Sequence, residues 1–218
     1  RYYPERQALD ERVGVVNGLA WTSVGGELLE VEVNVIPGTG KVELTGNLGD
    51  VMKESVHAAM SYIRANAQKL GVAPDFYKTK DIHVHFPAGA VPKDGPSAGV
   101  TVCTAMVSTL TGVTVRRDVA MTGEISLRGR VMAIGGLKEK TMAALRHGIS
   151  TVIIPKDNER DLAEIDQTVR KQLNFITAST VDTVLDAALN RKIEVQPAIL
   201  GDIPEKATRG RSKPSIRQ

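Results

Sequence analysis

The sequence predicts a mixed α+β (α/β) domain over residues 12–190, and three patterns carry the prediction. Short runs rich in Val, Leu and Thr, separated by glycine clusters, fill the first part of the chain. A long apolar pattern spaced by threes and fours comes next, and after it short apolar runs alternate with helical ones. Residues 12–22, 28–36 and 41–46 read as an antiparallel strand meander, turned at Gly25-Gly26 and at Pro37-Gly38-Thr39-Gly40. Asn47 is placed to cap a helix that carries Val51, Met52, Val56, Ala59, Met60 and Ile63 on one face and runs to Leu70, where Gly71 and Pro74 stop it. A strand at Ile82–Phe86 and a loop, Pro87–Gly95, lead to a helix without charges from Pro96 to Leu110. Strands at Val119–Thr122 and Ile125–Leu127 follow, then a helix from Leu137 to Arg146 that ends at Gly148. Thr151–Ile154 is a buried strand closed by Pro155; a helix near Glu159–Ala163, a strand near Asn174–Thr177 and a helix at Val181–Leu189 complete the domain.

Composition narrows the function. The 218 residues, 42% hydrophobic and 24% charged, suit one soluble domain, and with 4% aromatics its core must be aliphatic. The basic pI near 9.0 comes from the end of the chain, where Lys206, Arg209, Arg211, Lys213 and Arg217 face only Glu205. The rest is near neutral, so nucleic-acid binding is not expected of the domain. Residues 191–218 read as a tail, disordered in part, and residues 1–11, beginning at Arg1, as a linker from a preceding module. Cys103 is the single cysteine, which excludes an internal disulfide and points to a reducing compartment; within an apolar helix it reads as a buried, inert thiol. The uncharged run from Pro96 to Val115 contains Ser97, Thr101, Thr104, Ser108 and Thr109, too many hydroxyls for a membrane span.

The segment Pro92-Lys93-Asp94-Gly95-Pro96-Ser97-Ala98-Gly99 is the most informative in the chain. Pro96 is favoured at a helix start, so Ser97 falls on a first turn whose free N–H groups could stabilise an oxyanion. Gly95, Ala98 and Gly99 leave room for a substrate backbone. The plainer reading is that Asp94 and Ser97 are ordinary helix-start residues. Gly95-Pro96-Ser97-Ala98-Gly99 also matches the nucleophile elbow of an esterase, but a polar, proline-containing loop precedes it, and the sole downstream histidine, His147, lies on a helix.

The same segment resembles the nucleophile signature of Lon proteases. Val119-Ala120-Met121-Thr122-Gly123-Glu124-Ile125 with Leu127-Arg128-Gly129, and Ile134-Gly135-Gly136-Leu137-Lys138-Glu139-Lys140, resemble two further motifs of that family. Weaker likeness runs through Gly18-Leu19-Ala20-Trp21-Thr22 and Asp75-Phe76-Tyr77, so the resemblance spans about residues 12–190. It implies a compact proteolytic domain of its own fold, with a Ser97–Lys140 dyad cutting unfolded or loosely folded proteins. It also implies a hexameric ring and a preceding ATPase module that would use ATP and magnesium, with no cofactor in this chain. The bacterial cytoplasm is the expected location, the mitochondrial matrix the second. A non-catalytic ring-forming module of the same fold is the alternative.

An alcohol needs a base at neutral pH, and a lysine serves if burial lowers its pKa from about 10.4. Helical periodicity does not choose between Lys138 and Lys140, since both have apolar neighbours; the resemblance selects Lys140. Lys93 is a third basic group, expected to be exposed on its loop. Asp94 is expected either to cap the Ser97 helix or to pair with Lys140 in an inactive state. The Thr122 hydroxyl is placed to orient the lysine amine, and Glu32 matches an acidic residue near the family's site. His83 and His85 share a strand face, as metal ligands can, but the sequence supplies no third ligand. Pro37-Gly38-Thr39-Gly40-Lys41 looks like part of a phosphate loop, yet Val35 and Val42 stand where that loop needs Gly and Ser or Thr, so a turn is expected.

Overall fold

The structure is a computed structural model that describes residues 12–190; the expected linker and tail, 1–11 and 191–218, lie outside the described residues. Seven strands form one mixed sheet: β1 (Val15–Thr22), β2 (Gly25–Pro37), β3 (Val42–Thr45), β4 (Lys80–His85), β5 (Val119–Met121), β8 (Thr151–Pro155) and β9 (Asn174–Ala178), in the order β3-β4-β2-β1-β5-β8-β9. Between β5 and β8 a small hairpin stands apart, β6 (Glu124–Ile125) against β7 (Val131–Met132). Helices α1 (Asp50–Ala65), α3 (Gly99–Thr111) and α6 (Val181–Ala188) cover one face, around a core that includes Val31, Val56, Phe86, Val102 and Val184. Helices α4 (Leu137–Arg146) and α5 (Gln167–Gln172) cover the other, over Leu19, Ala120, Val152 and Ile154. Because β8 is apolar on both faces it is buried throughout, as a parallel strand between two helix layers must be.

The first three strands are not a meander. β1 and β2 form the expected antiparallel hairpin, but β4 lies between β2 and β3, and β3 pairs with β4 in parallel. The long amphipathic helix α1 follows β3 and must return across a sheet face to bury its apolar stripe, and that crossover leaves the flanking strands parallel. Asn47 does not cap it: Asn47 has φ 60°, and the cap position is Gly49. The helix also ends at Ala65, earlier than its periodicity suggests, because the following turn carries Ala67 and Leu70 into the same core. The helix near residue 160 is a 3-10 helix over Lys156–Glu164, and two short helices, α2 (Phe76–Thr79) and α5, leave no clear periodic signature.

α3 is the uncharged helix, buried from Gly99 to Ser108 and closed by Gly112 at φ 71°. Two of its threonines meet the apolar surroundings by donating back along the helix, Thr104 to the Val100 carbonyl and Thr109 to that of Ala105, whereas the buried Thr101 hydroxyl has no partner among the described residues. Cys103 is fully buried there, and burial pushes its thiol pKa up to about 12, so it is inert. Among the described residues no helix is long and apolar enough to cross a membrane.

Candidate active site

Three segments distant in sequence converge just beyond the end of β5. The first is the turn that carries Ser97. Gly95 has φ 115° and ψ 162°, a conformation open essentially to glycine alone, and it swings the chain into the 3-10 turn Pro96–Ala98 that opens α3. Ser97 is half-buried there. The second segment is Thr122-Gly123. The Gly123 N–H donates to the Ser97 carbonyl at 2.9 Å, and the Val100 N–H donates to the Gly123 carbonyl at 3.1 Å, so one residue clamps the start of the serine helix through both its backbone groups. That approach explains Gly99, where a Cβ would lie 2.6 Å from Ile125 Cγ2.

The third segment is α4. Lys140 is 1% exposed, and its Nζ donates to Thr122 Oγ1 at 3.1 Å. Thr122 is itself held by its N–H on the Ile153 carbonyl. Among the described residues no ion pair reaches Lys140, and burial alone lowers its pKa to about 8. Lys138 is exposed. The difference lies in how α4 is seated: Gly136 lies against the Trp21 indole, the Glu139 carbonyl lies over Gly26 of β2, and Arg146 donates to the Gly26 carbonyl. These contacts turn Lys140 inward. The Ser97 hydroxyl forms no hydrogen bond among the described residues, and the Lys140 amine rests on Thr122.

Asp94 takes neither expected role. Its Oδ1 accepts from the N–H groups of Met52, at 3.0 Å, and Gly95, at 2.8 Å, so it caps α1 rather than the Ser97 helix and does not touch Lys140. Gly49 is bare because any Cβ there would strike the Asp94 carboxylate. Lys93 is not a free cation on its loop either: its ammonium donates to the carbonyls of Gly46, Ala88 and Val91. All three of its protons are donated to carbonyls, although partial burial lowers its pKa from the usual lysine value. Glu32 pairs in register with Val15 and His85, whereas Met121 pairs with Gly18 and through it with Leu29. Glu32 is therefore three residues, about 10 Å, along β2 from the level of the site.

The other sequence features are structural. His83 and His85 share the Thr45 hydroxyl, at 2.8 and 2.7 Å, and no group of three metal-ligating side chains occurs among the described residues. In the glycine turn, the N–H groups of Thr39, Gly40 and Lys41 all donate to Asp81 Oδ1, so this nest holds an internal carboxylate in the place of a phosphate. Those amides keep the Asp81 pKa below the usual carboxylate range. Sequence reading missed Gly123 as a clamp and Ser55, whose single hydroxyl proton lies between the Val51 carbonyl at 3.2 Å and the Pro96 carbonyl at 3.4 Å; no local pattern marks either.

Asp94→Ala is expected to lower the unfolding free energy by about 1 kcal/mol, the usual cost of a lost cap, with Asp94→Asn costing less because an amide oxygen still accepts. Urea denaturation of the two variants checks this; equal stability of wild type and Asp94→Ala would remove the capping role.

The family model for the Lon protease (S16) C-terminal proteolytic domain matches residues 1–191. The chain is 59% identical over 194 residues to the Lon protease of Azospirillum brasilense, covering 89% of this chain and 24% of that protein. It is 60% identical over 180 residues to the Lon protease of Clostridium acetobutylicum and 61% identical over 180 residues to that of Vibrio parahaemolyticus, each covering 83% of this chain and 23% of the relative. The chain thus spans about a quarter of the length of the curated relatives it matches.

Proposed function

Because the chain belongs to the Lon protease family and carries its C-terminal proteolytic domain, we propose that it hydrolyses peptide bonds with Ser97 as nucleophile and Lys140 as general base. The observation that carries the assignment is a fully buried lysine, without an ion pair among the described residues, whose partner Thr122 adjoins the residue clamped to the Ser97 carbonyl. A neutral Lys140 amine takes the Ser97 hydroxyl proton as Oγ attacks the substrate carbonyl. The Ser97 N–H, which lies ahead of the 3-10 turn's own bonds, faces the developing oxyanion, since the Gly99 and Val100 N–H groups already donate to the Pro96 and Gly123 carbonyls. The tetrahedral adduct collapses as the lysine ammonium returns its proton to the leaving amine, and an ester remains on Ser97. Water, deprotonated by the same amine, then releases the acid. Thr122 orients the amine, and the Lys140–Ser97 hydrogen bond closes when substrate is bound, as catalytic hydrogen bonds commonly do. The esterase alternative is disfavoured by the chain path, since the loop through Gly95 separates β4 from Ser97.

The proposed setting is a bacterial cytoplasmic protein in which a homohexamer of these domains receives polypeptide unfolded by an ATPase module that binds ATP and magnesium. Substrates are unfolded, damaged or short-lived proteins, because the backbone must lie extended beside Ser97. Labelling with a fluorophosphonate or a peptidyl boronate, read by intact mass, tests the nucleophile; modification elsewhere with Ser97 untouched would sink the assignment. The chain alone is expected to cleave small peptides slowly and independently of ATP, with turnover per molecule rising with protein concentration as rings assemble. Peptide turnover measured beside light-scattering mass checks this. ATP-stimulated degradation of a stably folded protein by the chain alone would contradict the division of labour.

A further inference from the structure

The loop between β4 and Ser97 is exposed over most of residues 88–92, yet it must deliver the nucleophile to a fixed place. What fixes it is concentrated at Lys93. The Lys93 N–H donates to the Asn47 carbonyl at 3.0 Å, and the Lys93 carbonyl accepts from Gly49 at 2.8 Å. The side chain turns back on the loop, and Nζ donates to Gly46 at 2.9 Å, Ala88 at 2.8 Å and Val91 at 2.9 Å. Two backbone conformations at this knot are costly: Asn47 at φ 60° and Ala88 at φ 62° are the non-glycine residues with positive φ among the described residues, while Gly46, at φ 118°, adopts its conformation freely. Three carbonyl oxygens aimed at one point repel each other unless a cation lies between them. An ammonium, compact and with three donors, satisfies all three at once; a planar guanidinium does not fit that geometry. Asp94, the next residue, ties the same strand of chain to the start of α1.

We propose that Lys93 is a positioning residue of the active site: its ammonium is an internal cation that closes the carbonyl cage of Gly46, Ala88 and Val91 and thereby sets the position of Ser97. Lys93 touches no reacting atom. This inference rests on the proposed role of Ser97 and adds the device that holds it. A displacement of about 1 Å at a nucleophile is enough to lower turnover by about a hundredfold, so the effect falls on kcat more than on KM.

Lys93→Ala removes the stem and ammonium, the volume of a propylammonium ion, and this permits a rescue test. Peptide turnover by the full chain is expected to fall at least about tenfold in kcat for Lys93→Ala, and propylammonium is expected to recover it at least about threefold where sodium chloride of equal ionic strength does not. Lys93→Met keeps the stem, so circular dichroism is expected to show an intact fold, with kcat as low as in Lys93→Ala and no response to propylammonium. Lys93→Arg is expected to remain impaired. Wild-type kcat in Lys93→Met, or a folded Lys93→Ala whose deficit propylammonium leaves unchanged, overturns the proposal. If Lys93→Ala fails to fold, the Lys93→Met value decides alone. Turnover that survives Ser97→Ala would instead overturn the reading of the site on which this inference rests.

Discussion

Replacing Lys140 with Met is expected to abolish peptide cleavage and, at pH 7, to raise the unfolding free energy by up to about 3 kcal/mol. Loss of activity follows from losing the base. The stability gain follows from burial: the lysine pKa is lowered from 10.5 to about 8 in the folded chain. Between those values the unfolded state binds more protons than the folded one, so the wild type gains stability as pH rises from about 8 toward 10.5. Below about 8 the folded chain holds a buried ammonium with a hydroxyl partner and no counter-charge among the described residues, and it carries the full penalty. Methionine has nearly the same shape and no charge, and its only loss is the bond to Thr122. The difference between variant and wild type is therefore expected to shrink steadily above pH 8. Urea denaturation at pH 7, 8.5 and 10 measures it, and a variant less stable than wild type at all three would mean that Lys140 is not held as described. Wild-type kcat is expected to rise with pH and level off above about 8, as the neutral amine becomes the major form. Lys138→Met, at an exposed position, is expected to retain activity. Activity in Lys140→Met with loss in Lys138→Met would reverse the assignment.

Ser97→Ala is expected to lower cleavage by at least about a thousandfold, since the alternative nucleophile is unactivated water. Stability is expected to change by about 1 kcal/mol or less, because the hydroxyl is half-buried and makes no hydrogen bond among the described residues, while the backbone clamp through Gly123 remains. The pairing of a large activity loss with a small stability change separates a nucleophile from a structural serine. Cleavage of an unstructured protein by carefully purified Ser97→Ala, at even a tenth of the wild-type rate, would end the dyad reading. The two variants differ usefully: Ser97→Ala keeps the buried lysine and its pH-dependent stability, and Lys140→Met removes both.

Much of the fold was legible in local pattern. The charge-free run after Pro96 could only be a buried helix, and α3 is one; the apolar run at Thr151–Ile154 could only be a buried strand, and β8 is one. Ser97 at a helix start was legible too, from Gly95 and Pro96, because cap and turn preferences act over a few residues. Other features depended on segments far apart in the chain. β4 enters between β2 and β3 because α1 needs a sheet face to cover, a demand that no strand's own sequence expresses. Asp94 caps α1, more than forty positions upstream, and not the helix it immediately precedes. Lys138 and Lys140 differ by two positions on one helix and have similar neighbours along it. The contacts of α4 with Trp21 and Gly26 on the β1–β2 hairpin leave one side chain exposed and bury the other. The sequence alone determined which residue types were present and which helices and strands would carry them. Which lysine lies dry beside Thr122 was decided by tertiary packing, because desolvation depends on what covers a side chain from across the fold.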